Sequence, residues 1–378
     1  MKLKLILLLL LILQIACKKN QITMSADEPS IELIFDSSEP EFQVGAGLGL
    51  NYYNDITVGV INLTPTNIKL ITAAGAETII MEGSNLHNIS SAYTVLRPSR
   101  VIGGSSSAID YNYIGLGQLI KTKTNKYYGL YHAEWHDGSV LNAGVAGFYA
   151  SIGLCTSTNG VNFTKSSAAV VPNIYNRAYD NGAGDGGYGE PSMLFNKDSS
   201  EVYVYFVDHN RTGLGVNISM AKFNVLSNGE PDFSTCYFLT PYNTFTSQII
   251  RPAQVVMGAN NDHAINPQVT YSKWAKKYLM VYNLNAWEEW MKTGSSPSSG
   301  TYLTTSDDGI IWNSKSQLLK SDYAIPLNST TSFSWHPNLI FTDANQKEGY
   351  LLYSKSVNGL AAESHKMYAK KFRLELKD

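Results

Sequence analysis

Charge is scarce in this chain: Asp, Glu, Lys and Arg make up 16% of it, against 44% hydrophobic residues. The two signs almost cancel, with 29 basic and 31 acidic side chains. No basic stripe appears, so nucleic acid is not an expected partner. Cysteine is scarcer still, three in 378 residues, which excludes a disulfide scaffold. No Cys/His cluster has zinc spacing. After residue 16 no helix of ordinary length is suggested and no low-complexity tract occurs. The glycine-rich stretch from Asp180 to Tyr188 lacks the Gly-Lys-Ser/Thr ending of a phosphate loop and the closing Glu of an EF-hand. It reads as an approach loop. Asp180 and Asp185 leave a structural calcium ion open; no other metal or cofactor is expected.

What the chain does have begins at its amino terminus. Lys2 and Lys4 precede an almost wholly apolar run, Leu5 to Ile15, too short to span a bilayer. Leu13-Gln14-Ile15-Ala16-Cys17 resembles a bacterial lipoprotein cleavage site, with Gln14 where leucine is usual. The resemblance implies a signal peptide over 1–16, lipid on Cys17 and a tether over 17–30. It places the protein in the bacterial cell envelope, periplasmic or surface-exposed, touching membrane through the lipid alone. An ordinary secretory signal is the alternative. Cys155 and Cys236 fall in different repeats and read as buried free thiols.

The rest of the chain repeats one phrase: a polar residue, a proline, a short apolar strand, a turn and a Tyr-rich return strand. Glu190-Pro191-Ser192-Met193-Leu194-Phe195 leads to Val202-Tyr203-Val204-Tyr205-Phe206. Asn266-Pro267 and His336-Pro337 open two further copies, and Gln118 opens a weaker one without the proline. Openings at 118, 190, 266 and 336 are spaced by 72, 76 and 70 residues. A near-constant period of antiparallel strands predicts a closed radial array. Residues 43 to 104 supply an irregular first unit whose opening residue cannot be named, which makes five. The last repeat, His336 to Asp378, is 43 residues and about one strand short. A strand at Ile31–Phe35 completes it and removes the free edge. The expected fold is therefore all-β, a single five-bladed β-propeller over 31–378, monomeric. Two Asp/Asn-Gly turns, Ser306-Asp307-Asp308-Gly309-Ile310-Ile311-Trp312 and Ser157-Thr158-Asn159-Gly160-Val161-Asn162-Phe163, are expected to cap hairpins, the aromatic packing back between blades.

In such an array the opening residues point at the axis, and the return strands end on the same rim. That gathers Gln118, Glu190, Asn266 and His336 with His132, Glu134, Trp135 and Asp208. Carboxylates, histidines and tryptophans on one concave rim suit sugars, since aromatic faces stack on pyranose rings and carboxylates serve as acid and base. The repeated polar-Pro opening, the Tyr-rich strand and the Asp-Gly turn are similar to those of the five-bladed propeller glycoside hydrolases, families 43, 32, 117 and 130 among them. The resemblance covers roughly residues 105 to 378. It implies a polysaccharide or oligosaccharide partner and acidic residues at successive openings. Here those openings read Gln118, Glu190 and Asn266, and Glu190 alone is acidic. The expected catalytic set is Glu190 as acid with Glu134 or Asp208 as base or nucleophile. Gln118, His132, Trp135, Asn266 and His336 are expected to bind substrate. A non-catalytic glycan- or protein-binding surface propeller, an adhesin or antigen, stands as the alternative.

Overall fold

The computed structural model describes residues 30–50, 54–136, 148–174, 186–209, 216–256, 263–284, 299–313, 315–321, 334–355 and 365–377, with two short strands between 141 and 146. The signal, the tether, Cys17, Asp180 and Asp185 lie outside them. No α-helix occurs among the described residues; two 3-10 turns accompany the strands. The chain divides into a large unit, Leu33–Leu374, and a small one of Met1–Glu32 with Glu375–Asp378. In the small unit Lys377 Nζ stands 3.7 Å from Glu32 Oε1.

The strands fall into five antiparallel groups. The first holds Gly59–Thr64, Asn67–Ala74, Glu77–Gly83 and Ile89–Leu96 in that order. The second holds Tyr113–Lys121, Tyr127–Trp135, Tyr149–Ser157 and Thr164–Ala169. The third runs Gly186–Phe195, Glu201–Asp208, Asn217–Val225 and Pro231–Leu239. It touches the second group through a two-residue parallel pairing, Tyr149 with Gly186 and Ala150 with Gly187. The fourth is Ala264–Ser272, Lys277–Leu284, Gly300–Ser306 and Ser316–Lys320. The fifth is Ser334–Phe341, Glu348–Lys355 and Lys366–Lys377, with Ser30–Phe35 beside the last. The N-terminal strand thus fills the place the short last repeat left open.

The Tyr-Val return strands are buried along their length, as Glu201–Asp208 is from Val202 onward. They lie sandwiched between neighbouring groups, so both of their faces are apolar. The core is accordingly a series of layers between groups. One joins Leu130 and Ile152 to Val204 and Phe206. Another joins Tyr205 and Met220 to Tyr278 and Met280. A third joins Leu70 and Met81 of the first group to Ile340 and Leu352 of the fifth. Cys155 and Cys236 are buried free thiols, as expected.

Backbone ladders do not carry the connection from the fifth group to the first. Side chains do. Asn338 Oδ1 accepts from Val58 N at 2.7 Å, and Thr57 Oγ1 accepts from Gln118 N at 3.1 Å. Gln118 Oε1 accepts from Ser192 Oγ at 2.6 Å, and Ser192 Oγ accepts from Val269 N at 2.8 Å. Gln268 Oε1 accepts from Leu339 N at 3.0 Å. The circuit links all five groups, through Thr57 and Val58 just ahead of Gly59–Thr64 in the first, and returns to its start. The three bonds at Asn338, Ser192–Val269 and Gln268 satisfy buried polar groups that would otherwise cost about 1–3 kcal/mol each.

The polar-Pro pairs do not open their strands; they lie inside them. The strands begin at Gly186, Ala264 and Ser334, and register shifts fall between Gly189 and Ser192, Ile265 and Gln268, and Trp335 and Asn338. Proline has no N–H for the ladder, and a bulge is the place in a strand where none is needed. Glu190, Asn266 and His336 take φ of 50°, 54° and 48°. A non-glycine residue there costs roughly 1–3 kcal/mol, a strain that recurs at functional sites. In the second group the shift lies between Leu116 and Leu119. Gly117 therefore stands in register with Glu190, and Gln118 with the proline.

Candidate active site

The three bulges turn their polar side chains toward one another. Glu190 Oε2 accepts from Asn266 N at 2.8 Å and from Asn266 Nδ2 at 2.7 Å. Asn266 Nδ2 lies 3.1 Å from His336 Nδ1. Because that amide nitrogen donates, Nδ1 of His336 accepts and its proton sits on Nε2. His336 Nε2 faces Asp55 Oδ1 at 3.5 Å. On the other side of Glu190, its backbone N–H donates to His132 Nδ1 at 3.1 Å. His132 Nε2 then donates to Glu134 Oε1 at 2.9 Å, and His136 Nε2 meets Glu134 Oε2 at 2.6 Å. The result is a continuous chain from Asp55 through His336, Asn266, Glu190 and His132 to Glu134. It has one member or more from each of the five groups. Two histidine–carboxylate pairs flank one central carboxyl.

Charge is distributed unevenly along this chain. Burial pushes the Glu190 carboxyl up; the charges of His336 and His132 and the Asn266 N–H draw it back in part, and the net shift is upward. Its neutral form has its proton on Oε1, since Oε2 receives two N–H groups. Glu134 is the opposite case. Burial pushes it up, but hydrogen bonds from His132 and His136 outweigh that and bring it down to about 2. Burial also draws His132 down, while Glu134, Glu190 and Asp55 push it up to a net rise. The Glu190 N–H aimed at Nδ1 works against that rise, because it favours a ring nitrogen that accepts there. Opposite shifts on neighbouring carboxyls are how one site keeps an acid and a base at one pH.

Asp55 was not legible as a site residue. It precedes the Gly59–Thr64 strand in Asp55-Ile56-Thr57-Val58. Thr57 accepts a neighbour's N–H just as Gln268 and Asn338 do. Asp55 therefore holds in the first group the place of Asn266 and His336. The proline that marks the other openings is replaced by Ile56, which hid the match. A cavity of about 280 Å³ adjoins it, lined by Asp55, Arg100, Asn112, Tyr113, Glu134 and His136 among others. Tyr113 donates to Asp55 O at 2.9 Å and packs edge-on to His132, ring centroids 5.4 Å apart.

The other expected residues sit elsewhere. Gln118 belongs to the circuit of inner-strand bonds, its Nε2 donating to Val269 O at 2.9 Å. Asp208 is fully buried and pairs with Arg251 Nε at 3.1 Å. Trp135 alternates with Glu134 along its strand, so it points to the opposite face, where Nε1 donates to Ser106 O at 3.0 Å. Among the described residues no group of three or more His, Cys, Asp or Glu is arranged to hold a metal ion.

This arrangement of sheets recurs in solved enzymes. A thermostable family-43 glycoside hydrolase matches with a TM-score of 0.52 at 13% identity, over 89% of this chain and 92% of that one. Sucrose-6-phosphate hydrolase from Lactobacillus gasseri matches with a TM-score of 0.54 at 10% identity, over 89% of this chain and 61% of that one. An endo-1,4-β-xylanase from Bacteroides thetaiotaomicron matches with a TM-score of 0.50 at 12% identity, over 86% and 96%. The fold is a glycoside-hydrolase-like β-propeller. No protein-family model and no curated protein matches the chain. Identities of this size carry the propeller architecture, and the chemistry rests on the residues above.

Proposed function

We propose that this propeller hydrolyses glycosidic bonds, with Glu190 as general acid and Asp55 as the second carboxyl. In this reading the five strand groups are five blades, and the N-terminal strand closes the last. The observation that carries it is the convergence of two carboxyls from different blades on one axial chain. Glu190 has its affinity for protons raised by burial, and Asp55 lies within its electrostatic reach and lines the cavity. Hydrolysis needs one carboxyl protonated and the other not. Glu190 gives its Oε1 proton to the leaving oxygen as the C–O bond breaks. Asp55 accepts a proton from the incoming water as its oxygen bonds to the sugar carbon, and exchange with solvent returns the proton to Glu190. Glu134 has both oxygens bonded to histidines and Asp208 is bonded to Arg251, so neither competes with Asp55 for that part.

Asn266 and His336 act as positioning residues. The amide of Asn266 donates to both neighbours, and its Oδ1 is buried with no hydrogen-bond partner among the described residues. A sugar hydroxyl is a donor of the kind that atom lacks. One observation favours binding without turnover: Glu190 already accepts two N–H groups, as a structural carboxylate does. Incubating the soluble domain with oligosaccharides and analysing products separates the two. Turnover by the wild type and its loss in Asp55→Asn are expected; ligand retention without any product points to the binding reading. We further propose that the protein is anchored in the cell envelope by lipid on Cys17. Cys17→Ala is expected to move it to the soluble fraction, and continued membrane association contradicts this.

A further inference from the structure

The cavity beside Asp55 holds one cation that the chemistry above does not use. Arg100 lines it, and among the described residues no carboxylate stands within ion-pair distance of its guanidinium. The neighbouring arginine differs, since Arg97 Nε pairs with Glu77 Oε1 at 3.3 Å. The carboxylates of the cavity have other partners too: Glu134 has two histidines and Asp55 has His336. Arg100 nevertheless sits on a fixed turn. Its N–H donates to Tyr111 O at 3.1 Å, Ser99 N donates to Asp110 O at 2.9 Å, and Val101 N donates to Pro98 O at 3.0 Å. Ser99 Oγ donates to Asp110 Oδ1 at 2.7 Å, and Lys165 Nζ holds the other Asp110 oxygen. A planar five-donor cation, carried on that turn beside a sugar-sized hollow and lacking a carboxylate partner, is suited to an oxyanion. Asn112 and His136 stand on the same wall, His136 N donating to Asn112 Oδ1 at 2.7 Å.

We propose that the glycan entering this cavity is anionic, and that Arg100 pairs with its ring substituent. The inference rests on the glycan reading of the site and deepens it. A hexuronate carboxylate and a sulfate ester present similar oxyanions to the fork, so the test uses both. The soluble domain is titrated calorimetrically with an oligogalacturonate, with its methyl ester, and with a sulfated galactan oligosaccharide of equal length. The wild type is expected to bind one anionic probe about 10- to 100-fold more tightly than the neutral ester, the range of a charge-assisted bond. Arg100→Ala is expected to remove that preference while leaving the weak binding of the ester unchanged. Arg100→Lys is expected to restore part of it, charge without the fork. Arg100 is exposed, so both variants are expected to fold. Equal affinity for anionic and neutral probes, or a preference that survives in Arg100→Ala, overturns the inference and leaves the glycan reading intact. No affinity for any of the three overturns both.

Discussion

At the scale of single residues, the site is governed by which carboxyls are charged. Glu134 falls to about 2 from an ordinary 4.5 because two imidazoles donate to it. A lowered folded-state pKa contributes stability above the unfolded value, and that stability is lost as pH falls from about 4.5 toward 2. The contribution is at most about 3 kcal/mol. Glu134→Gln is therefore expected to melt earlier than the wild type at neutral pH, the gap closing as both are acidified. A gap independent of pH contradicts the assigned charge. Glu190 has the opposite sign. Its raised pKa makes the protonated form the acid, so turnover is expected to fall as pH rises through it. Glu190, Asn266 and His336 were all legible as axial residues because proline follows each. Asp55 was not, because the proline is absent and Thr57 alone marks the place.

Elements show where local grammar suffices and where it does not. The two Asp/Asn-Gly turns are as the residues dictate. Asp308 Oδ1 accepts from Ile310 N at 2.7 Å and Ile311 N at 2.9 Å, and Gly309 takes φ 78°. Trp312 packs edge-on to Tyr205 of the preceding group, centroids 5.7 Å apart, and Tyr205 donates to Gly309 O at 2.6 Å. A Cβ at Gly309 would stand 2.9 Å from Tyr205 Oη. Gly309→Ala is expected to cost about 1–3 kcal/mol, from the strained φ and the crowded tyrosine together. Unchanged chemical denaturation would contradict that account. Strand starts were misread, since a proline inside a bulge gives the same signal as a proline at a strand opening. Register then reassigned Gln118 from the axis to the circuit that ties inner strands together. Trp135 was assigned to the rim because its return strand ends there, whereas alternation along the strand sends it and Glu134 to opposite faces.

At the scale of the molecule, the spacing of 72, 76 and 70 residues was enough to foresee the propeller and the strand that completes its last sheet. Repeats space groups evenly around an axis whatever their sequences, which is why the architecture persists at 10–13% identity to the solved enzymes. The site was only half legible, because its members come from five groups and are joined by side-chain bonds that no local pattern encodes. Glu190 is the proposed proton donor of this propeller. The measurement that bears on it most directly compares wild type and Glu190→Gln on one glycan, reading turnover, affinity and melting temperature together. The amide keeps an oxygen for the two N–H groups of Asn266 but has no acidic proton. Turnover is expected to drop by roughly 10²- to 10⁴-fold, with affinity and melting temperature retained. Wild-type turnover in Glu190→Gln would contradict the assignment.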